Sequence, residues 1–205
     1  LLNMFNNIER EGVLMKKGTG KAFLGEWNTK TIVTMAVGAA LYGVLMVYGG
    51  IPIFSQTNLS TAMIVPVIVG AMYGALPCSL TLLIGNIIAD LIAGNGMWFD
   101  WSIGNAVLGL FVGLLPVYGA YITEGIFKVK HAVIYGVLCV VGNIIAFGIV
   151  TPIFTYLFYG GELKVTFIMA GFACAGNIAI LLIVGIPVLF LLAKRYASRT
   201  NLTAE

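Results

Sequence analysis

The segment from Asn86 to Trp101 contains the side chains of this chain best suited to bind a small molecule. Asn86 and Asp90 are four positions apart, so they share one face if the segment is helical. Trp98 and Trp101 flank Asp100 just after a glycine-containing turn. Indole rings stack on flat rings, and carboxylates accept hydrogen bonds from ring edges. The pattern predicts a site for a flat, partly polar ligand.

Two simpler interpretations of the same residues stay open. Tryptophan is common at membrane interfaces, where it acts as an anchor. Asp90 could cap a helix or make a hydrogen bond within a bundle, because an acidic group in an apolar segment needs a partner in either case. The sequence alone is compatible with both interpretations.

Polar residues elsewhere in the chain could complete the site. The segment 50–58 could close over the ligand from the other side. Asn105, Asn143 and Asn177 occur once in each of the last three predicted helices, where an asparagine either contacts a ligand or makes an interhelical hydrogen bond. The predicted binding residues are Asn86, Asp90, Trp98, Asp100, Trp101, Asn105, Gln56 and Asn58.

The sequence lacks the residue groupings that most enzymes and metal sites need. The single histidine, His131, follows Lys130 and is interpreted as a topology charge or a helix cap. Cys78, Cys139 and Cys174 lie far apart in or beside apolar runs, without CxxC or Cys/His spacing. We therefore expect no catalytic residue, no metal and no cofactor, so that a bound small molecule would be a ligand.

The residues at 18–21, Gly-Thr-Gly-Lys, resemble the end of a phosphate-binding loop only in part. That motif needs a glycine where Met15 stands, and a serine or threonine where Ala22 stands. ATP-driven transport by this chain would therefore need an ATPase partner.

The composition places the chain in a membrane. Hydrophobic residues make up 60% and charged residues 9%, whereas soluble proteins carry about 25% charged residues. A transmembrane helix needs about 20 residues, and the apolar runs predict an all-α polytopic bundle of six such helices with short loops. The predicted spans are 31–49, 59–76, 78–94, 102–122, 132–157 and 166–193. They form one membrane domain, 30–196, between polar tails at 1–29 and 197–205.

Prolines mark two expected interruptions of this pattern. A tight turn is predicted at 76–78, which contains Pro77, between the second and third spans. Pro152 is expected to end or kink the fifth span, because proline lacks the backbone N–H that a helix interior uses.

Basic residues indicate the orientation of the bundle. The chain has 11 Lys and Arg residues, and all except Lys164 lie on one side of the predicted spans. Because such residues concentrate in cytoplasmic segments, both termini are predicted to be cytoplasmic, and the segments 50–58, 95–101 and 158–165 face outward. The net charge of +3 follows from this topology and does not indicate nucleic-acid binding.

Small residues recur at four-residue spacing in three predicted helices, where they let helix backbones approach each other closely. The pairs are Ala36 and Ala40, Gly70 and Gly74, and Gly109 and Gly113. Packing within the bundle is favoured for the two glycine pairs. For the alanine pair, docking on another protein and internal packing are both compatible with the pattern.

The order of several segments resembles the S-components of energy-coupling factor (ECF) vitamin importers. The chain is most similar to the family of ECF-type riboflavin transporter S-components, and the resemblance covers about residues 29–196. The segments that carry it are Thr29-Lys30-Thr31-Ile32-Val33, Ala36-Val37-Gly38-Ala39-Ala40, Ile51-Pro52, Asn58, Gly85 to Asp90, Trp98 to Ser102, Gly185-Ile186-Pro187 and Lys194-Arg195.

This resemblance implies a six-helix bundle in the bacterial plasma membrane that captures a vitamin at its outer face. Such a subunit works with a membrane coupling (T) protein and two cytoplasmic ATPase subunits, and Ala36 and Ala40 would form the docking surface. Riboflavin is the leading ligand. A thiamine precursor, cobalamin, or a role as a stand-alone carrier or channel are the alternatives.

The predicted orientation can be tested with reporter fusions. A reporter placed after Glu205 and one placed in the segment 123–130 should both give a cytoplasmic signal, because the basic residues crowd that side. An external signal at either position would contradict the orientation and move the predicted ligand site to the wrong face.

Overall fold

The computed structural model describes residues 19–54, 57–94 and 96–202. Nearly all of them are helical. The helices are α1 (Thr19–Leu24), α2 (Thr29–Tyr48), α3 (Ile64–Tyr73), α4 (Ala75–Ala93), α5 (Phe99–Val112), α6 (Val129–Ile145), α7 (Thr151–Tyr159), α8 (Leu163–Ile180) and α9 (Ile186–Leu202). Short 3-10 turns at Thr61–Met63, Leu115–Tyr118 and Ile122–Glu124 join some of them.

The helical, multi-pass membrane architecture that the composition predicts is confirmed. Within the described residues, five helical stretches are long and apolar enough to cross a membrane: Thr29–Tyr48, Ala75–Ala93, Phe99–Glu124, Val129–Tyr159 and Leu163–Ser198. The predicted span 59–76 corresponds to a shorter apolar helix, Thr61–Tyr73. A count of six full spans and the cytoplasmic position of both termini stay predictions.

A small β-hairpin replaces one of the short loops that the sequence predicted. Strands β1 (Gly50–Phe54) and β2 (Thr57–Ser60) pair antiparallel, with Gly50 opposite Ser60. Thr61 closes the base of the hairpin, because its backbone N–H and its hydroxyl both donate to the Gly49 carbonyl, at 3.2 and 2.8 Å. The two strands thus pair part of their backbone polar groups with each other, although the fold is otherwise helical.

Neither Pro77 nor Pro152 ends the helix in which it lies. The break between α3 and α4 falls at Gly74, and Pro77 lies in the first turn of α4, where a missing N–H is tolerated. Pro152 does not end its span, because the helix widens into a π-helical segment at Ala146–Val150 and continues to Tyr159. A second π-helical segment, Leu181–Gly185, precedes Pro187 in the same way.

Glycine residues bring α3, α4 and α5 into backbone contact. A Cβ atom added to Gly109 would lie 2.8 Å from the Ser79 Cα atom, and one added to Gly70 would lie 2.9 Å from the Gly113 Cα atom. These distances leave no room for a side chain. The prediction that the glycine pairs pack within the bundle is therefore confirmed.

The two ends of the bundle differ in charge. One end of the bundle, which we call the basic end, contains the start of α2, the break at Gly74, the segment 113–128 and the end of α9. Its Lys and Arg residues include Lys30, Lys128, Lys130, Lys194 and Arg195. The opposite end, which we call the far end, contains the hairpin, the turn before α5 and the turn between α7 and α8.

The backbone contact at Gly109 predicts a large stability difference between two matched substitutions. Gly109→Ala should lower the free energy of unfolding by about 1–3 kcal/mol, because the new methyl group meets backbone atoms of α4 that cannot shift cheaply. Gly171→Ala in α8 is the control, since a Cβ atom there meets nothing within 4 Å. Thermal unfolding of both variants in detergent measures the difference, and equal stabilities would contradict the role assigned to Gly109.

Candidate functional site

A chain of buried polar side chains connects α2, α4 and α5. The Tyr42 hydroxyl donates to Asn105 Oδ1 at 2.8 Å, and Asn105 Nδ2 donates to Asn86 Oδ1 at 3.0 Å. Asn86 Nδ2 in turn donates to the Ser102 hydroxyl at 3.0 Å. All four side chains are buried. The structure thus brings two predicted binding residues, Asn86 and Asn105, together.

The same hydrogen bonds occupy both asparagine side chains. Asn105 Nδ2 also lies 3.0 Å from the Trp101 carbonyl, and the Ser102 hydroxyl donates to the Trp98 carbonyl at 3.3 Å. Asn105 therefore makes interhelical hydrogen bonds, which is one of the two interpretations that the sequence allowed. A ligand would gain their amide groups only by breaking a network that holds three helices together.

Asp90 holds the turn between α4 and α5. Its Oδ2 atom accepts a hydrogen bond from the Trp98 backbone N–H at 2.9 Å. The side chain is half-buried at the far end. The capping interpretation of Asp90 therefore fits the structure, and through Trp98 the residue positions the start of α5.

Asp100 lies deeper, between α5 and α7. Its side chain is fully buried, and the Thr155 hydroxyl donates to its Oδ2 atom. Asp100 Oδ1 and the Thr151 hydroxyl are buried without a hydrogen-bond partner in the described part of the chain. Thr151 and Thr155 were not predicted as site residues, although their four-residue spacing would place both on one face of a helix.

The two predicted tryptophans lie in different surroundings. The Trp98 ring is 41% exposed, and its centroid lies 5.0 Å from that of Tyr159. Trp101 is half-buried and packs 5.8 Å from Phe147, centroid to centroid. Trp98 is thus partly exposed at the far end, whereas Trp101 packs against the core.

Tyr159 is a positioning residue that the sequence reasoning missed. Its hydroxyl accepts from the Phe99 backbone N–H at 3.1 Å and donates to the Met97 carbonyl at 3.0 Å. It therefore ties the end of α7 to the turn that carries Trp98. An aromatic residue beside the Gly160 turn was the available signal.

Asn58, Gln56 and His131 also stood out in the sequence, and the structure describes two of them. Asn58 lies in β2 opposite Pro52, and β2 runs beside α8 at the far end. Gln56 lies outside the described residues. His131 is buried at the start of α6, where its Nδ1 atom accepts from the Lys128 backbone N–H at 3.1 Å, in line with its interpretation as a cap.

The alanine pair lies on an open face of α2. Ala36 and Ala40 are exposed, whereas Ala39 and Gly43 on the adjacent face are buried. Gly43 packs on α4, since a Cβ atom there would lie 3.0 Å from the Gly85 carbonyl oxygen. One small-residue face of α2 is therefore used inside the bundle, and the other is available to a partner.

Two cavities lie away from all of these residues. One is an apolar groove of about 510 Å³ along α6, and the other is a cleft of about 250 Å³ at the basic end that includes Glu26, Lys30 and Glu124. Among the described residues, no group of three or more His, Cys, Asp or Glu side chains is placed to hold a metal ion.

Comparison with known proteins identifies relatives of the whole membrane domain. A UPF0397 protein of Aliivibrio fischeri (strain MJ11) is 37% identical over 179 residues, which cover 86% of this chain and 97% of the relative. A UPF0397 protein of Vibrio vulnificus (strain YJ016) is 35% identical over 179 residues, with the same coverage.

The fold also has a counterpart among solved structures. The crystal structure of FolT bound with folic acid matches with a TM-score of 0.50 and 18% identity, covering 84% of this chain and 95% of that one. At this identity the likeness concerns the fold. The family model described as ECF-type riboflavin transporter, S component, matches residues 26–194. The chain therefore belongs to the family of ECF-type riboflavin transporter S components, as the order of its segments predicted.

Proposed function

We propose that this protein is the substrate-capture subunit of an ECF-type importer and binds a flat vitamin at the far end. The observation that carries the proposal is the grouping of Trp98, Tyr159 and Asp100 at that end, in a chain that belongs to a transporter S-component family. The subunit would deliver the vitamin inward with a coupling protein and two ATPase subunits, in a bacterial plasma membrane.

The chemistry of the far end favours a ring with a polar edge. The exposed Trp98 ring, braced by Tyr159, offers a stacking surface. Asp100 Oδ1 is an acceptor without a partner, so it fits a ring that carries an N–H donor. Because Asp100 is fully buried, this hydrogen bond requires the far end to rearrange when the ligand binds.

Riboflavin is the leading ligand, because the family description names it and its ring system is flat with an N–H at the edge. Folate is a second candidate, since the FolT structure contains folic acid and a pterin ring has the same two features. A thiamine precursor offers a smaller ring. Cobalamin is bulkier than a stacking site of this kind favours.

A stand-alone carrier or channel is the alternative from another class. Such a protein would need an ion-coupling site or inverted repeats, and the sequence shows neither. The open face of α2 at Ala36 and Ala40 instead supports a subunit that docks on a coupling protein through small residues.

The ligand prediction can be tested on the purified full chain by fluorescence and calorimetry. Riboflavin fluorescence should be quenched on binding, because an indole ring stacked on the excited flavin donates an electron to it. Trp98→Ala should weaken binding by about 1–3 kcal/mol, the scale of stacking on an aromatic side chain, and thermal unfolding of the variant measures the separate effect of losing the ring contact with Tyr159. Trp101→Ala should weaken binding similarly and also lower stability, because Trp101 packs against Phe147.

Trp27→Ala is the matched control for this experiment. Trp27 is 49% exposed and lies near the basic end, where its ring N–H donates to the Leu24 carbonyl. Binding should be unchanged in this variant. Folate binding without riboflavin binding would reassign the ligand, and normal binding by both Trp98→Ala and Trp101→Ala would reduce the two residues to interfacial anchors.

The docking prediction separates binding from transport. Ala40→Trp should abolish vitamin uptake by cells that co-express the coupling protein and ATPases, while the purified variant binds the vitamin normally. The physical reason is that a bulky ring on the open face of α2 prevents close helix approach, whereas the proposed site lies at the far end.

Substitution of the neighbouring exposed residue Leu41 by alanine is the control and should preserve uptake. If Ala40→Trp abolished binding as well as uptake, Ala40 would be part of the fold or the site. Robust uptake by the chain without ATPases would support the carrier alternative.

A further inference from the structure

An apolar groove of about 510 Å³ runs along the surface of α6 beside the second π-helical segment and the start of α9. The groove is open at Gly136, because a Cβ atom added there meets one neighbouring atom, Leu182 Cδ2, at 3.4 Å. Its walls include Val133, Gly136, Val137, Val140, Leu182 and Ile186. The proposed vitamin site and the alanine face of α2 use none of these residues.

The length of the groove matches one leaflet of a bilayer. Its lining along α6 extends from Val129 to Val141, a rise of about 18 Å at 1.5 Å per residue. Half of a hydrocarbon core of about 30 Å is about 15 Å. The groove, which starts at the basic end of the bundle, is therefore about as long as one acyl chain of one leaflet.

Positive charge lies at the end of the groove where a lipid headgroup would be. Lys128 and Lys130 flank Val129 and are both exposed. Basic residues at the cytoplasmic mouth of a groove between transmembrane helices attract anionic headgroups. The long lysine side chains can reach the interface while their stems lie along apolar surface.

We propose that this groove binds one acyl chain of an anionic phospholipid, with the phosphate headgroup at Lys128 and Lys130. The apolar walls hold the chain, Gly136 provides the space for it, and the two lysines select the headgroup. The lipid site does not depend on the vitamin or on the ATPases. Its test can therefore fail while the proposed function holds, and the reverse is also true.

Native mass spectrometry of the full chain, released from nanodiscs of equal phosphatidylglycerol and phosphatidylcholine, tests the proposal. The protein should retain phosphatidylglycerol with roughly thirtyfold preference, the scale that two lysines near an anionic surface give. Lys128→Gln combined with Lys130→Gln should remove the preference and keep the total amount of bound lipid. Gly136→Leu should reduce both lipids severalfold, because its side chain fills the groove.

Two control variants make the test specific. Gly171→Leu places the same side chain at an open position of α8, and Lys164→Gln removes a lysine at the far end; both should retain lipid like the unmodified chain. Equal retention of the two lipids by the unmodified chain, or undiminished phosphatidylglycerol on Gly136→Leu, would overturn the proposal. So would a second copy of the chain bound in place of lipid. The lysine pair is exposed, so its variant tests the headgroup even if Gly136→Leu lowers stability.

Discussion

Polar groups inside a bilayer must find their partners within the protein, and most of this structure follows from that constraint. It accounts for helices throughout the membrane domain. It also accounts for the π-helical segments that precede Pro152 and Pro187. Where buried side chains are polar, the same constraint produces the series of side-chain hydrogen bonds that begins at Tyr42 and ends at Ser102 and links three helices.

The sequence predicted the architecture well because composition and charge act over whole helices. Apolar runs and basic ends are properties of about 20 residues at a time, and an error at one position does not change them. Pro152 does not end its span as one of the two expected outcomes had it, because helix continuation depends on how neighbouring turns widen, which no local pattern records. A kink at Pro152 stays a prediction. The hairpin at Gly50 was missed for a similar reason, since its pairing depends on the register of two short segments.

The predicted binding residues stay predictions, and the structure shows which partner several of these polar side chains take. Residue type identified Asn86, Asp90 and Asp100 as groups that need partners, and the structure brings them to one end of the bundle. Which partner each one takes depends on helices distant in sequence, such as the contribution of Thr155 from α7. Tyr159 escaped notice because an exposed tyrosine at a helix end is common in membrane proteins.

The glycine contacts between α3, α4 and α5 limit how far these helices can move relative to one another. Helices separated by layers of side chains can slide past each other, whereas backbones in direct contact cannot. Gly43 extends the same contact from α2 to α4. Because Gly43 packs α2 on α4 and Gly109 packs α5 on α4, a tilt of α2 would be passed on to the end of the bundle that carries Trp98 and Asp100.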